Sequence, residues 1–233
     1  MRQIILDTET TGIDYRSGHR LIEIGCIEMQ KRRFTGNNLH FYVNPERAIE
    51  QGAIDVHGIT NEFLIDKPVF ADIAEEVMQY LKGAELVIHN APFDVGFLNN
   101  ELKLLPNNHW QSLEAHCTIL DTLVMARKLH SGQRNSLDAL CKRYDVSNHH
   151  RQLHGALLDA ELLGQVYLAM TGGQTRLSFD QPVVQASQHA IDAASDQVKT
   201  DKLDFIVAHA SGEEQALHEA YLKKLDAALW SEG

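Results

Sequence analysis

An unbroken aliphatic run, Ile4-Ile5-Leu6, stands at the start of this chain, and two acids, Asp7 and Glu9, come directly after it. Side chains alternate along a strand, so three consecutive large apolar residues cannot all face one side. Residues 2–7 therefore predict a buried strand, which needs cover from other elements. The same alternation points Asp7 and Glu9 to one common side. Acids are depleted from strands and are seldom buried without a partner.

The rest of the chain supplies the cover. Residues 21–29 (LIEIGCIEM) alternate and predict a second strand, and residues 34–43 continue an antiparallel hairpin or meander. A helix is expected from Pro68, with Phe70, Ile73, Ala74, Val77 and Leu81 at helical spacing. Residues 85–89 (ELVIH) read as a central strand. Asn90 is expected to cap the next helix, whose inner side carries Phe93, Phe97, Leu98, Leu102 and Leu105. Residues 117–120 (CTIL) predict a further strand, leading into a helix begun by Asp121 and Thr122. Leu137, Leu140, Cys141 and Tyr144 mark another helix, and the last runs from about Gly155 to Met170, before Thr171-Gly172-Gly173. Strands in a meander, then strands alternating with helices, predict an α/β layered domain with a mixed sheet over residues 1–173.

Residues 174–202 are polar and poor in large apolar side chains, and read as a flexible linker. From Leu203 the pattern returns. LDFIVAHA is strand-like, and the next segment reads as a helix with Leu217, Tyr221, Leu225, Ala228 and Leu229 in one apolar stripe. Residues 203–233 thus form a tail suited to a partner groove.

Charge narrows the function. The 233 residues hold 21 Lys and Arg against 32 Asp and Glu, a formal charge of −11. That balance argues against a protein that holds nucleic acid by broad electrostatic attraction. A local basic window does exist at Arg127, Lys128, Arg134, Lys142, Arg143 and Arg151; by itself it reads as a solvated helical face. Cys26, Cys117 and Cys141 are widely spaced and form no CxxC pair, which suits reduced, buried thiols. The absence of a membrane-length apolar run and of a signal-peptide pattern predicts a cytoplasmic location.

Two carboxylates on one side of a strand repel each other unless a cation lies between them or one is protonated. Oxygen-only donors suit Mg²⁺ or Mn²⁺ better than zinc. Taken alone, the pair also fits two solvated acids at a strand end. Asp94, in the first turn after the ELVIH strand, equally fits an acid complementing the helix dipole. His154 and Asp159 lie five residues apart, about 140° around a helix. They share a site only if His154 sits on the loop before the helix. Asp121 and Asp138 read as helix-starting residues outside the site, and His149-His150 and His116-Cys117 lack zinc-ligand spacing.

Taken in order, DTET, HNAPFD and HGALLDA resemble the three motifs of the DEDD exonuclease superfamily, in its His-containing, DnaQ-like branch, and within it the proofreading exonucleases of bacterial replicative polymerases. TGNN, VHGI, RNSLDALC and VYLAMTGGQT extend the resemblance over nearly all of residues 1–180. The resemblance implies a ribonuclease H-like mixed sheet flanked by helices. It implies two divalent ions, Mg²⁺ or Mn²⁺, on Asp7, Glu9, Asp94 and Asp159, with His154 as the general base. An imidazole with an unperturbed pKa of about 6.5 is suited to that work near neutral pH. Asp7, Thr8, Glu9, His57, His89, Asn90, Phe93 and Asp159 correspond to substrate-contacting positions of the family. One departure is Gly52, where relatives carry a polar or acidic residue.

The activity implied is a 3′→5′ exodeoxyribonuclease that releases mispaired 3′-terminal nucleotides as nucleoside 5′-monophosphates. The substrate is a single-stranded or frayed DNA 3′ end. The implied partners are the polymerase III α subunit through residues 203–233, a sliding clamp through Gln174, Leu177 and Phe179, and a small theta-like accessory subunit. Two other readings are a 3′ exoribonuclease of the same superfamily and a non-catalytic polymerase subunit; the complete set of acids and the histidine argues against the second.

Overall fold

The computed structural model describes residues 1–148, 153–172, 211–212, 214–216 and 218. Six strands form one mixed sheet: β1 (Arg2–Thr10), β2 (Leu21–Gln30), β3 (Arg33–Phe34), β4 (Leu39–Tyr42), β5 (Glu85–Ile88) and β6 (Thr118–Asp121). The order is β3-β2-β1-β5-β6, with β4 also pairing with β2. β1, β2, β3 and β4 pair antiparallel, whereas β5 lies parallel to β1 and β6 parallel to β5. The expected meander is present, broken in two at residues 35–38.

Seven helices surround the sheet among the described residues: α1 (Gln51–His57), α2 (Asn61–Leu64), α3 (Phe70–Leu81), α4 (Pro92–Leu104), α5 (Thr122–Leu129), α6 (Leu137–Arg143) and α7 (Ala156–Gly172). β1 is buried from both sides. Ile4 and Leu6 join Phe70, Val77, Leu98 and Leu102 of α3 and α4 in one core layer. Ile5 joins Ala160, Leu163 and Val166 of α7, with Leu140 and Cys141 of α6, in the other. Each large aliphatic side chain so buried contributes roughly 1.5–3 kcal/mol of transfer free energy.

Two local expectations change, and two short helices are added. Asn90 is not an N-cap: it adopts a left-handed conformation, φ 66°, which Asn tolerates better than most residues. α4 starts two residues later at Pro92, whose missing N–H costs nothing in a first turn. Pro68 lies just ahead of α3, which is capped at Val69 and starts at Phe70. α1 and α2 fall in a stretch without an apolar stripe; α1 buries only its last residue, His57.

The linker, with Gln174, Leu177 and Phe179, and most of the 203–233 tail lie outside the described residues. Within the tail, residues 212, 214–216 and 218 are helical. Ser211 and Glu214 form a capping box there: the Ser211 Oγ accepts from the Glu214 N–H at 3.3 Å, and the Glu214 carboxylate accepts from the Ser211 N–H at 2.8 Å. No helix among the described residues is long and apolar enough to cross a membrane.

Candidate active site

The site arises from the alternation of β1. Odd-numbered side chains face α7 and even-numbered ones face α4, as Ile5 and Leu6 establish. Asp7 and Glu9 thus join the α7 side, and Thr8 the α4 side. β1 pairs with β5 only as far as Ile5 opposite Val87, so its carboxyl end runs on beyond its parallel neighbour. Ligand crevices form at that end of α/β sheets. Here both helix layers reach it.

On the α4 side, the Thr8 hydroxyl donates to Asp94 Oδ1 at 2.7 Å. Asp94 is 3% exposed. Burial pushes its carboxyl up to about 7; the Thr8 hydroxyl and nearby backbone N–H groups oppose the shift, and the charge of Asp121 adds to it. On the α7 side, close approach of the helix depends on Gly25, which is opposite Asp7. A Cβ on Gly25 would sit 2.3 Å from the backbone of Ala156 and Leu157, so only glycine admits the start of α7 there. That start carries Asp159, 2% exposed.

His154 lies on the loop two residues before α7, as the five-residue spacing requires of a shared site. Its Nδ1 is 3.2 Å from Asp159 Oδ2. Glu9, His154 and Asp159 each offer a ligand atom, all within 4.8 Å of one another. The carboxylate oxygens of Glu9 and Asp159 are hard donors that fit a divalent cation such as Mg²⁺ or Mn²⁺, and the imidazole is the softer member of the group. A buried, reluctantly ionised Asp94 next to this set is what a cation would stabilise in its charged form.

A cleft of about 900 Å³ opens over these groups and is lined by Asp7, Thr8, Glu9, His89, Asn90, Phe93, Asp94, His154 and Asp159. His57 does not line it. It ends α1, 5% exposed, and its Nδ1 accepts the Ile59 N–H at 3.0 Å. Burial lowers the His57 pKa, the Thr10 backbone opposes this, and His154 reinforces it. Phe93 stands on the cleft wall against Phe97, ring centroids 5.0 Å apart. His89 holds Thr122 Oγ1 through Nδ1 at 3.0 Å, and burial lowers its pKa too. Gly52 sits in the first turn of α1 with open space around it.

The far wall was not legible in the motifs. It is built from α5, the loop after it and α6, and includes Arg127, Gln133, Asn135 and Asp138. Asp121 caps α5, accepting from the Leu123 and Val124 N–H groups, as its position implied. Asp138, assigned to a helix start alone, also faces the cleft. A second groove, of about 630 Å³, shares Ser136 and Asp138 with the first and holds Arg134, Lys142 and Arg143. The basic window is therefore divided: Arg127 lines the first depression, Arg134, Lys142 and Arg143 the second, and exposed Lys128 neither; its last member, Arg151, lies outside the described residues. Arg143 also braces the loop, donating to Asn135 Oδ1 and to the Arg134 carbonyl.

Residues 4–167 match the family model RNase_T, described as exonuclease. In an alignment of 237 positions the chain is 48% identical to DNA polymerase III subunit epsilon of Escherichia coli (strain K12), covering 98% of this chain and 97% of that protein. The chain belongs to this exonuclease family, among the epsilon subunits. The epsilon subunit of Haemophilus influenzae is 54% identical over 184 residues, 77% of this chain and 71% of that one. Among solved structures, exonuclease X in complex with 5′ overhanging duplex DNA aligns with a TM-score of 0.54 at 26% identity, over 73% of this chain and 91% of that chain. The zinc-bound complex of E. coli exonuclease I with single-stranded DNA has a TM-score of 0.62 at 20% identity, over 75% of this chain and 41% of that chain, which shows the shared fold. As an epsilon-type member of the exonuclease family, the protein is an enzyme, a proofreading 3′→5′ exonuclease. Membership implies divalent metal ions.

Proposed function

We propose that the cleft hydrolyses the terminal phosphodiester of a single-stranded or frayed DNA 3′ end, releasing a nucleoside 5′-monophosphate. Asp7, Glu9, Asp94 and Asp159 hold two divalent ions, Mg²⁺ or Mn²⁺, and His154 is the general base. When bound, such ions align the attacking water with the leaving oxygen and take up the charge that develops between them.

The observation that carries this reading is the meeting of Glu9, His154 and Asp159 within 4.8 Å, although they come from a strand, a loop and a helix. His154 is 44% exposed in its side chain, open enough to accept a proton from water and return it to solvent. Asp159, 3.2 Å from Nδ1, orients the ring. Thr8, Asn90 and Phe93 line the cleft where the terminal nucleotide enters, and Phe93 offers a face for a base, a contact indifferent to sequence. His89 lines the cleft and His57 lies outside its lining; both are assigned to the nucleotide pocket by the family resemblance. Arg134, Lys142 and Arg143 in the adjoining groove offer positive charge to the phosphates behind the scissile one. A mispair lowers the cost of fraying, so errors reach the cleft more readily than matched ends without any reading of bases.

The relatives' name, DNA polymerase III subunit epsilon, supports a place in the cytoplasmic replicative complex. In this reading residues 1–173 are the nuclease, 174–202 a linker and 203–233 the segment that binds the polymerase α subunit. Gln174, Leu177 and Phe179 contact the sliding clamp, and a small theta-like subunit completes the complex. Tethering supplies the local concentration that a chain of charge −11 does not obtain from DNA by itself.

The test is digestion of single-stranded DNA with Mg²⁺ by Asp7→Ala and Asp159→Ala. Both variants are expected to lose nucleotide release while melting as the parent does. Retained turnover in either removes the metal assignment.

A further inference from the structure

The loop that bears His154 is held from outside its own helix. The His154 N–H donates to the Val56 carbonyl in the last turn of α1 at 3.1 Å. The preceding residue, Leu153, packs on the turn that ends α1. Gly58 there has φ 72°, and a Cβ on it would lie 2.5 Å from Leu153 Cδ1. The other end of α1 is fastened to Thr11, the residue directly after the strand that carries the acids. The Glu50 N–H, at the helix start, donates to the Thr11 carbonyl at 3.0 Å. The Glu50 carboxylate meets His19 Nε2 at 3.1 Å, and His19 Nδ1 meets Thr11 Oγ1 at 3.0 Å. His19 is 6% exposed, and Thr11 lies two residues beyond Glu9.

We propose that α1 is the platform that sets the position of His154, and that Glu50 is a positioning residue which fixes this platform, through His19, to Thr11 directly after β1. The proposal rests on the reading of His154 as the general base. A base acts only within hydrogen-bond reach of its proton, and a misplacement of about 1 Å can cost on the order of a hundredfold in rate. The Glu50 side chain is 60% exposed, so its contact with His19 contributes little to global stability. Its effect belongs on the chemical step.

The experiment is a double-mutant cycle in the full-length protein, with steady-state digestion of single-stranded DNA in Mg²⁺ and a thermal melt of each variant. Enzyme is added in amounts that resolve the residual turnover of His154→Gln. Glu50→Ala is expected to lower kcat by about tenfold, with KM and melting temperature unchanged. Glu50→Gln is expected to restore the rate, since its carbonyl oxygen still accepts from His19. In the His154→Gln background, Glu50→Ala is expected to cost nothing more. An unchanged kcat in Glu50→Ala, or the same loss repeated in the His154→Gln background, overturns the proposal while leaving the base assignment intact. Wild-type turnover by His154→Gln overturns the base assignment, and the proposal with it.

Discussion

Asp94 shows how a single side chain divides its service between folding and chemistry. Its carboxyl is pushed up to about 7 by burial, against a normal value near 4 in an unfolded chain. The neutral acid is the form the fold prefers. Its stabilising effect is complete below the unfolded pKa and is lost as pH rises through about 7. Asp94→Asn keeps an oxygen to accept from Thr8 and cannot ionise. In the metal-free protein at pH 8 we expect this variant to melt higher than the parent by at least about 2 °C, with the gap closing at pH 4; calorimetry at the two pH values decides it. The same variant is expected to be inactive with Mg²⁺. A stabilising change that abolishes function would mark Asp94 as a residue kept for its charge. The motifs made this acid legible but not its burial, because burial comes from the packing of α4 on the sheet and from Thr8 on the facing strand.

The elements meet at Gly25. The N-terminus of α7 touches the sheet there, and Asp159 and the His154 loop are positioned by that contact. Gly25→Ala forces a Cβ against helix backbone, which cannot turn aside as a side chain does. We expect destabilisation of about 1–3 kcal/mol and a fall in exonuclease activity larger than the stability loss alone explains; denaturant melts beside single-strand digestion measure both. At this scale the sequence is legible where periodicity is strong. β1, β2, β5, β6 and the helices α3 to α7 lie within a few residues of their expected spans. It is silent on α1, whose residues, QGAIDVH, bury only His57 and so carry no apolar stripe. It misleads at Asn90, because an Asn before a helix suits a cap and a left-handed turn equally well. The α5–α6 wall of the cleft is illegible for another reason. Arg127 and Asp138 meet the acids only through the sheet order, which no spacing along the chain records.

For the whole molecule the decisive division is between the nuclease and the chain beyond it. Every group of the proposed site lies between Asp7 and Asp159, and the family match ends at residue 167. A chain truncated at Gly173 is therefore expected to digest single-stranded DNA at the parent rate and to lose its association with the polymerase. Co-sedimentation with the polymerase α subunit reads the second half; unchanged co-migration would remove the role given to residues 203–233.

The carboxyl end of β1, running on past β5, also bears on when this protein becomes dangerous. One acid reaches the cleft from the α4 layer and another from the α7 layer, so neither half of the sandwich holds the full set. A nascent or half-collapsed chain therefore carries every motif of a nuclease and none of its bite. On the proposed assignment of the acids, native packing is the safety catch, released only when α7 docks on the sheet.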